Sequence, residues 1–227
     1  MKKTVLITGG SDGLGKEIAR SLKDEYEIVI CSDNKEKLEK TAREISVDYL
    51  VCDISSFNDC QKTIGVFIKK YQRIDCLINN AGVWIEGFLE DNNFESIKKT
   101  FEINLIGAVY MTKLVLPFMK KNLGGDIVFI NSQAGFEAKA KRSVYTATKW
   151  GLNGLAKSLQ KELVDFNIRV ISVYPGKMKT KLFEKAGIKK DLSDAFEPKY
   201  VAKFIKEVLL MPKNILVPEI GIKNLKQ

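Results

Sequence analysis

Histidine is absent from the 227-residue chain, and cysteine is scarce, with four residues that nowhere form a CxxC pair. Without histidine, no Ser-His-Asp triad can be completed within the chain. The scattered cysteines argue against a disulfide framework and against a zinc site, so we expect no bound metal. Together with the lack of an N-x-Ser/Thr sequon, they favour a reducing compartment and a cytoplasmic protein.

Long hydrophobic runs are also missing. No continuous run reaches the ~18–20 apolar residues that cross a bilayer. The basic start Met1–Lys3 resembles that of a signal peptide, but the apolar run behind it is only about five residues long. With 45% hydrophobic residues and no linker or repeat, the chain is long enough for one substantial core. We predict a single domain over residues 1–227 and no membrane association.

Acidic residues are fewer than basic ones, 28 against 37, which gives a net charge of +9. Such an excess can indicate a polyanionic partner. The lysines, however, are interspersed with Glu and Asp on segments of helical period, a pattern typical of a solvated surface. We therefore expect no nucleic-acid partner.

Short apolar runs alternate with longer charged segments of helical period. The runs read as continuous Val, Ile and Leu, which is typical of parallel strands covered on both faces. The predicted strands are Val5–Thr8, Ile28–Cys31, Tyr49–Cys52, Cys76–Asn79, Ile127–Ile130, Val170–Val173 and Ile215–Val217. The predicted helices are Gly13–Lys23, Lys35–Ile45, Phe57–Tyr71, Phe94–Lys121, Ser143–Phe166 and Lys199–Leu210. The fold class that follows is α/β: a single-domain, doubly wound, Rossmann-type parallel sheet of about seven strands with helices on both faces.

A glycine-rich segment from Thr8 to Gly15, TGGSDGLG, lies between the first predicted strand and the first predicted helix. Glycine has no Cβ, so such a turn brings backbone N–H groups against a phosphate. The helix that follows points its positive dipole end at the same place. A nucleotide cofactor is therefore the first expectation.

Three other motifs overlap this segment, and each lacks a required residue. Gly10–Lys16 reads GxxxxGK, but Glu17 stands where a P-loop needs a Ser or Thr hydroxyl for Mg²⁺. Gly9–Gly13 matches the GxSxG nucleophile elbow, yet no histidine can complete its triad. The spacing GxGxxG fails because Ile18 occupies the third glycine position. The pattern that remains is TGxxxGxG.

Polar residues follow three of the predicted strands: Asp53, then Asn79–Gly82, then Asn131 and Ser132. Each could simply cap a turn or a helix. Parallel strands, however, bind ligands at their carboxyl ends, so we expect these residues to share a crevice with the glycine segment.

Tyr145 and Lys149 are four residues apart on a predicted helix and so lie on one face, about one turn apart. A nearby ammonium stabilises the phenolate. This pair predicts a tyrosine pKa below its usual ~10 and a side chain able to act as an acid or base.

With these motifs in this order, the chain resembles the short-chain dehydrogenase/reductase family almost from end to end. The residues that carry the resemblance are the TGxxxGxG segment, Asp53, Asn79–Gly82, Asn104, Ser132, the YxxxK pair, Pro175, Gly176 and Thr180. The resemblance implies an NAD(P)-dependent oxidoreductase that transfers a hydride between a nicotinamide cofactor and a carbonyl or secondary alcohol. A dinucleotide-binding regulator without turnover is the alternative.

The resemblance also implies roles for particular residues. Asn104, Ser132, Tyr145 and Lys149 would form a catalytic tetrad. In it, Tyr145 is the general acid or base, Ser132 orients the substrate oxygen and Asn104 holds a water that links Lys149 to solvent. The residues implied in cofactor binding are Gly9, Ser11, Asp12, Gly13, Leu14, Gly15, Asp33, Asp53, Ile54, Asn80, Ala81, Gly82, Tyr145, Lys149, Pro175, Gly176 and Thr180. The expected assembly is a homodimer or homotetramer paired through the helices Phe94–Lys121 and Ser143–Phe166.

Cofactor choice depends on the end of the second strand. NADP carries a 2′-phosphate. Family members that prefer NADP bind this phosphate with an Arg or Lys just after the second strand or before the second glycine of the motif. In this chain, Asp33 and Asp12 occupy those two positions. We therefore expect NAD to be favoured over NADP. Asp33 or Asn34 could instead cap the next helix, and Lys35 is near enough to leave NADP open.

The substrate is left open among sugar alcohols, hydroxy acids, acyl thioesters and steroid-like ketones. The chain departs from the usual family pattern at Asn131, where a serine often stands, and in lacking a Gly-Gly ending. The segments expected to flank a substrate are Val83–Gly87, Gly135–Ala138, Tyr174 and Lys177–Phe196. Within them, Trp84, Phe136 and Phe183 could stack on the substrate. The residues Lys181–Phe183 could form part of a lid.

Overall fold

Seven strands form one parallel sheet within residues 2–225, the part of the chain that the computed structural model describes. They are β1 (Lys3–Thr8), β2 (Tyr26–Ser32), β3 (Asp48–Val51), β4 (Cys76–Asn79), β5 (Gly125–Ile130), β6 (Ile168–Pro175) and β7 (Glu219–Ile222). Their order across the sheet is β3-β2-β1-β4-β5-β6-β7. The predicted doubly wound parallel sheet is confirmed. Met1, Lys226 and Gln227 of the predicted domain lie outside the described residues.

Helices cover both faces of this sheet. They are α1 (Gly13–Leu22), α2 (Lys35–Ile45), α3 (Phe57–Tyr71), α4 (Phe94–Phe101), α5 (Gly107–Lys121), α6 (Ser143–Glu162), α7 (Leu182–Lys185) and α8 (Pro198–Leu210). Single 3₁₀ turns occur at Leu89–Asp91, Gln133–Gly135 and Val164–Phe166, and a π turn at Glu102–Ile106 joins α4 to α5.

Each central strand contributes to two cores, because successive side chains face opposite sides of the sheet. Val5 and Ile7 of β1 pack in the core formed with α1, α2 and α8, whereas Leu6 packs in the core formed with α3, α5 and α6. All three side chains have an exposed fraction of 0%. Strands buried in this way need apolar residues at every position, which explains the unbroken runs in the sequence.

Several helices begin at a side chain that caps the first turn. The side-chain Oδ1 of Asn34 accepts the N–H of Lys37 at 2.9 Å at the start of α2, and the Oδ1 of Asn93 accepts the N–H of Ser96 at 2.8 Å at the start of α4. These bonds satisfy donors that the helix itself leaves unpaired. The cap of α2 is therefore Asn34, and Asp33 does not have that role.

Two long predicted helices differ in detail from the structure. The segment Phe94–Lys121 is one run of helix, as predicted, but its hydrogen bonding changes to a π turn at Glu102–Ile106. The helix predicted over Ser143–Phe166 ends at Glu162, and the 3₁₀ turn Val164–Phe166 follows it. A left-handed residue, Asn167 with φ of 54°, then turns the chain into β6. Periodicity alone does not register such changes of helical hydrogen bonding.

The final strand predicted at Ile215–Val217 is wrong: β7 is Glu219–Ile222, which pairs with β6 from Ser172 onward. The guanidinium of Arg169 donates to the carbonyl of Ile215 at 3.0 Å, which holds that residue outside the sheet. The strand begins after Pro218, whose carbonyl accepts the N–H of Ser172 at 2.9 Å and whose own nitrogen carries no hydrogen.

By length and composition, the helix running from Phe94 to Lys121 is apolar enough to cross a membrane, with a mean hydropathy of 1.3 over an 18-residue window. In the fold, Met111, Val115 and Met119 of this helix are fully buried against the sheet. Only 33% of that window is buried within the chain, so an apolar surface remains on its outer side.

A buried ion pair ties β5 to β6. Asp126 is 1% exposed and Arg169 is 5% exposed, and the guanidinium Nε donates to the carboxylate at 2.7 Å. Lys213 also donates to this carboxylate. Removing one partner of such a pair leaves a buried charge without compensation.

We predict that Asp126→Ala lowers the free energy of unfolding by about 3–5 kcal/mol, because Arg169 would then be buried without its carboxylate. Urea unfolding at fixed protein concentration measures this value. The matched control is Asp165→Ala, which removes an exposed carboxylate and should change stability by less than about 0.5 kcal/mol. Equal losses in the two variants would contradict the prediction.

Candidate active site

A cavity of about 620 Å³ lies at the carboxyl ends of the strands, on both sides of the point where the strand order changes between β1 and β4. The predicted site residues that line it are Gly9, Ser11, Asp12, Gly13, Leu14, Asp33, Asp53, Ile54, Asn80, Ala81, Gly82, Ser132, Tyr145, Lys149, Pro175, Gly176 and Thr180. The structure therefore brings nearly all of the predicted residues to one crevice. Gly15 and Asn104 are not among the lining residues.

The glycine segment turns tightly against the end of β4. Gly9 has a φ of +64°, and a Cβ at this residue would lie 2.7 Å from the Cα of Ala81. A Cβ at Gly15 would lie 2.4 Å from the carbonyl oxygen of Gly9. Gly15 is thus required for close packing of the turn and is not among the lining residues, and its predicted contact with a cofactor stays a prediction.

The side chain of Asn80 holds this turn in place. Its Nδ2 donates to the carbonyl oxygens of Thr8 at 2.9 Å and Gly9 at 3.0 Å. In return, the hydroxyl oxygen of Thr8 accepts the N–H groups of Asn80 at 3.0 Å and Ala81 at 3.1 Å. These four bonds fix the glycine turn to β4 and orient the start of α1 toward the cavity.

The segment after β6 crosses over the glycine turn. Lys185 forms an ion pair with Asp12 at 2.7 Å, and the side chain of Thr180 lies against Gly13. The predicted lid residues Lys181–Phe183 line the cavity from the same segment. One wall of the cavity is therefore held by contacts between α7 and the start of α1.

Tyr145 lies on α6 and is 5% exposed. Burial raises its pKa to about 12, against smaller lowering effects from the hydroxyl of Ser132 and the charge of Arg142. The predicted lowering of this pKa by Lys149 is therefore wrong for the protein without ligands. The physical reason is that loss of water around a buried phenolate outweighs the nearby charges.

Lys149 lies one turn after Tyr145 and is likewise 5% exposed. Its Nζ donates to the carbonyl oxygen of Ile130 at 3.0 Å and lies 5.7 Å from the centre of the Tyr145 ring. Burial lowers the pKa of Lys149 to about 8. At neutral pH the lysine is thus still mostly charged but loses its proton far more readily than an exposed lysine, whereas the tyrosine is protonated.

Asn104 lies in the π turn between α4 and α5, and it is 1% exposed. Its Oδ1 accepts the N–H of Val83 at 2.7 Å, and its Nδ2 donates to the carbonyl of Val83 at 2.9 Å. Asn104 therefore fixes the chain that follows β4, where Val83 and Trp84 line the cavity. The π turn is what points this side chain inward.

Two aromatic residues predicted beside the substrate lie elsewhere. The rings of Phe136 and Tyr174 stack on each other with centroids 3.9 Å apart, and neither residue lines the cavity. The hydroxyl of Tyr174 donates to Asn153 at 2.7 Å. By contrast, Trp84 and Phe183 do line the cavity, and their rings pack edge to face with centroids 4.8 Å apart.

Sequence reasoning missed Arg142, which lines the cavity three residues before Tyr145. Its position directly before α6, three residues ahead of Tyr145, was the available signal, since it places the side chain near the same end of that helix. Gln133 and Lys139 also line the cavity and were not predicted.

The residues present fit a dinucleotide. Gly13 and Leu14, the first residues of α1, line the cavity, so the N-terminus of this helix opens on it and suits a pyrophosphate. The cavity continues from Asp33 at one end to Tyr145 at the other. Fold and site together define a dinucleotide-binding α/β protein with a buried tyrosine and lysine at one end of its cavity.

Comparison with known proteins narrows this class to a family. The family model for short chain dehydrogenase matches residues 3–191. Carbonyl reductase family member 4 of Xenopus laevis is 33% identical over 235 residues, which cover 98% of this chain and 99% of that protein. The chain belongs to the short-chain dehydrogenase family, and it is an NAD(P)-dependent oxidoreductase.

Solved structures agree with this assignment. An alcohol dehydrogenase from Thermococcus sibiricus, complexed with 5-hydroxy-NADP, has a TM-score of 0.91 at 26% identity and covers 100% of this chain and 98% of its own. The structure of ElxO with NADP bound has a TM-score of 0.88 at 29% identity and covers 100% of both chains. Both are relatives of this protein in fold and sequence.

The depressed pKa of Lys149 predicts a pH dependence of stability. Below pH 8 the lysine is charged in the folded and the unfolded state, and its burial destabilises the fold. Between pH 8 and the unfolded value of 10.5, the unfolded state binds more protons, so this penalty declines as pH rises.

We predict that wild type gains about 2 kcal/mol in unfolding free energy relative to Lys149→Met between pH 7 and pH 10. Urea unfolding at each pH measures the difference, in which titrations common to both proteins cancel. Lys161→Met, which removes an exposed lysine of α6, is the control and should show no such trend. If the difference in unfolding free energy between wild type and Lys149→Met does not change with pH, the pKa of Lys149 is not lowered by folding.

Proposed function

We propose that the protein transfers hydride between a nicotinamide dinucleotide and a carbonyl or secondary alcohol substrate, with Tyr145 as the general acid or base. The observation that carries this proposal is the convergence of Tyr145, Lys149 and Ser132 on the cavity that the glycine turn also lines. The bound dinucleotide would supply the hydride donor or acceptor. The protein's own residues must then supply and remove one proton.

Tyr145 is suited to give that proton during reduction. Since burial holds its pKa at about 12, the phenol is protonated at neutral pH. Negative charge develops on the substrate oxygen as hydride reaches the carbon, and transfer of the phenolic proton neutralises that oxygen. The same transfer runs in reverse when an alcohol is oxidised.

Lys149 supports the phenolate that this step leaves behind. Its Nζ, 5.7 Å from the Tyr145 ring centre, supplies a positive charge within a buried site, where charges interact more strongly than in water. With a pKa of about 8, it can also pass a proton onward. The Ser132 hydroxyl hydrogen-bonds the substrate oxygen and orients it. Since the side-chain amide of Asn104 is paired with Val83, the water link to Lys149 that the resemblance implies for Asn104 stays a prediction.

We predict that Tyr145→Phe lowers kcat by ~10²–10⁴-fold, because the ring stays while the transferable proton is lost. Turnover is measured by nicotinamide absorbance with a panel of ketones and secondary alcohols, and cofactor affinity is measured by fluorescence titration. Cofactor affinity should stay within about threefold of wild type.

The control for this variant is Tyr200→Phe, which removes a hydroxyl from an exposed tyrosine on α8. It should retain full turnover. Retention of more than a tenth of kcat by Tyr145→Phe would refute the proposed role. A wild-type protein that binds dinucleotide but turns over no member of the panel would instead support the regulatory alternative.

Cofactor preference is proposed to favour NAD over NADP. The Asp33 carboxylate lines the cavity at the end of β2, where it accepts a hydrogen bond from the Ser32 hydroxyl at 3.2 Å. A carboxylate there would accept hydrogen bonds from a free ribose hydroxyl and repel a 2′-phosphate. Lys37 and Lys223 line the same cavity and favour the opposite choice, as do the relatives solved with NADP.

We predict a kcat/KM for NAD(H) at least tenfold above that for NADP(H). Asp33→Arg should lower this ratio or reverse the preference. Glu36→Arg is the matched control: it makes the same charge change on α2 at a residue that does not line the cavity. Steady-state kinetics with both cofactors measure the ratio. Equal or better use of NADP(H) by wild type would show that the lysines, and not Asp33, decide the preference.

A homodimer or homotetramer paired through α4–α5 and α6 is also proposed. The outer sides of these helices expose Phe94 at 85% and Trp150 at 51%, and large exposed apolar patches mark interaction surfaces. The four cysteines, all free and buried, support a cytoplasmic location.

We predict that sedimentation at micromolar concentration gives at least twice the 25.6 kDa mass of the chain. Trp150→Glu should shift the protein toward monomer, because it places a charge in the paired surface. The control is Val66→Glu, a change on α3 at a position that is 52% exposed. A single monomeric species in the wild type would contradict this assembly.

A further inference from the structure

The end of the cavity next to Tyr145 carries a cation to which the proposed proton transfer gives no role. Arg142 immediately precedes α6 and lines the cavity together with Tyr145. Its guanidinium carbon lies 5.2 Å from the centre of the Trp84 ring. The same indole contacts the ring of Tyr145 at 4.3 Å. One flat aromatic surface therefore holds the guanidinium beside the reacting end of the cavity.

Within residues 2–225, no carboxylate forms an ion pair with the guanidinium of Arg142, and its buried Nε lacks a hydrogen-bond partner. A buried N–H of a charged group that lacks an acceptor carries a desolvation cost. An anionic ligand in the cavity would supply the acceptor and remove this cost.

Glu86, whose carboxylate feels the charge of Arg142, is already engaged by other donors. Its carboxylate accepts the Lys190 ammonium at 3.0 and 3.1 Å and the Trp84 Nε1–H at 3.0 Å. Burial raises the pKa of Glu86, but the hydrogen bonds from Lys190 and Trp84 hold it below its ordinary value, and Arg142 adds only a longer-range charge effect. Glu86 therefore positions Trp84 and neutralises Lys190, and the charge of Arg142 remains directed at the cavity.

We propose that Arg142 binds a carboxylate on the substrate, so that keto acids and their hydroxy acids are the preferred substrate class. This inference rests on the proposed function and names the substrate class of the same site. A planar guanidinium pairs with a carboxylate through two parallel hydrogen bonds, and stacking on Trp84 limits its rotation before binding.

A carboxylate held in this way also orients the reacting group. With one end of the substrate fixed at Arg142, the carbonyl is presented to Tyr145 and Ser132. In the reduction, the carbonyl carbon gains hydride from the reduced dinucleotide and the oxygen gains the phenolic proton. The carboxylate itself is unchanged, so Arg142 contributes to binding and specificity.

The test compares three keto acids, 3-oxobutanoate, 4-oxopentanoate and 5-oxohexanoate, each with its own methyl ester. The ester keeps the ketone and removes the negative charge. For the best chain length, we expect wild type to have a kcat/KM at least tenfold higher for the acid. Arg142→Met should lower the acid-to-ester ratio at least tenfold, and Arg142→Lys should give an intermediate ratio.

Lys141→Met is the matched control, because Lys141 adjoins Arg142 in sequence, is exposed and does not line the cavity, and the substitution removes the same charge. Its acid-to-ester ratio should stay within threefold of wild type. Equal turnover of acids and esters by wild type, or equal losses for both in Arg142→Met, would overturn the proposal. Preference for coenzyme A thioesters of the same acids over the free acids would also overturn it.

A binding measurement separates this inference from the proposed function. Calorimetry titrates 4-oxopentanoate into the protein saturated with oxidised NAD, which has no hydride to give, and into the protein alone. Binding that weakens at least tenfold in Arg142→Met supports the carboxylate site, even if turnover is absent and the proposed function fails. Equal binding by wild type and Arg142→Met overturns the carboxylate site while leaving the proposed function intact.

Discussion

The close approach of the glycine turn to the end of β4 is the contact on which the site depends. A Cβ at Gly9 would lie 2.7 Å from the Cα of Ala81, and the Asn80 amide donates to the carbonyls of Thr8 and Gly9 at 2.9 and 3.0 Å. These contacts join the two halves of the sheet where the strand order changes. They open a crevice between the N-terminus of α1 on one side and the start of α6 on the other, so that a cofactor and a substrate can meet in it.

Burial then decides how the two ionisable groups on α6 behave. The same loss of water raises the pKa of Tyr145 to about 12 and lowers that of Lys149 to about 8. Both shifts favour the neutral form, so an uncharged acid and a readily deprotonated amine lie one turn apart. The chain opposite them is fixed by Asn104, whose amide pairs with both backbone groups of Val83. This arrangement suits the proton transfer that we propose.

Much of the fold follows from residue patterns, because Val5, Leu6 and Ile7 need cover on both faces and only a parallel sheet between helices supplies it. The glycine turn and the tyrosine–lysine pair are visible for a similar reason: each depends on residues close together in sequence. Other features depend on partners distant in sequence. Arg169 holds Ile215 outside the sheet across 46 residues, and this moves the last strand to Glu219. The pKa of Tyr145 is raised by burial, and the guanidinium of Arg142 is held beside the cavity by Trp84. Local spacing in the sequence reveals neither effect.

The central claim is that the cavity brings a nicotinamide and a carbonyl carbon together for direct hydride transfer. The most direct measurement uses NADH carrying deuterium at both C4 positions, the ketone that the enzyme reduces fastest, and mass spectrometry of the product alcohol. Direct transfer predicts one deuterium on the carbinol carbon in each product molecule and none lost to solvent. Product alcohol without deuterium, or deuterium recovered in the water, would contradict the account.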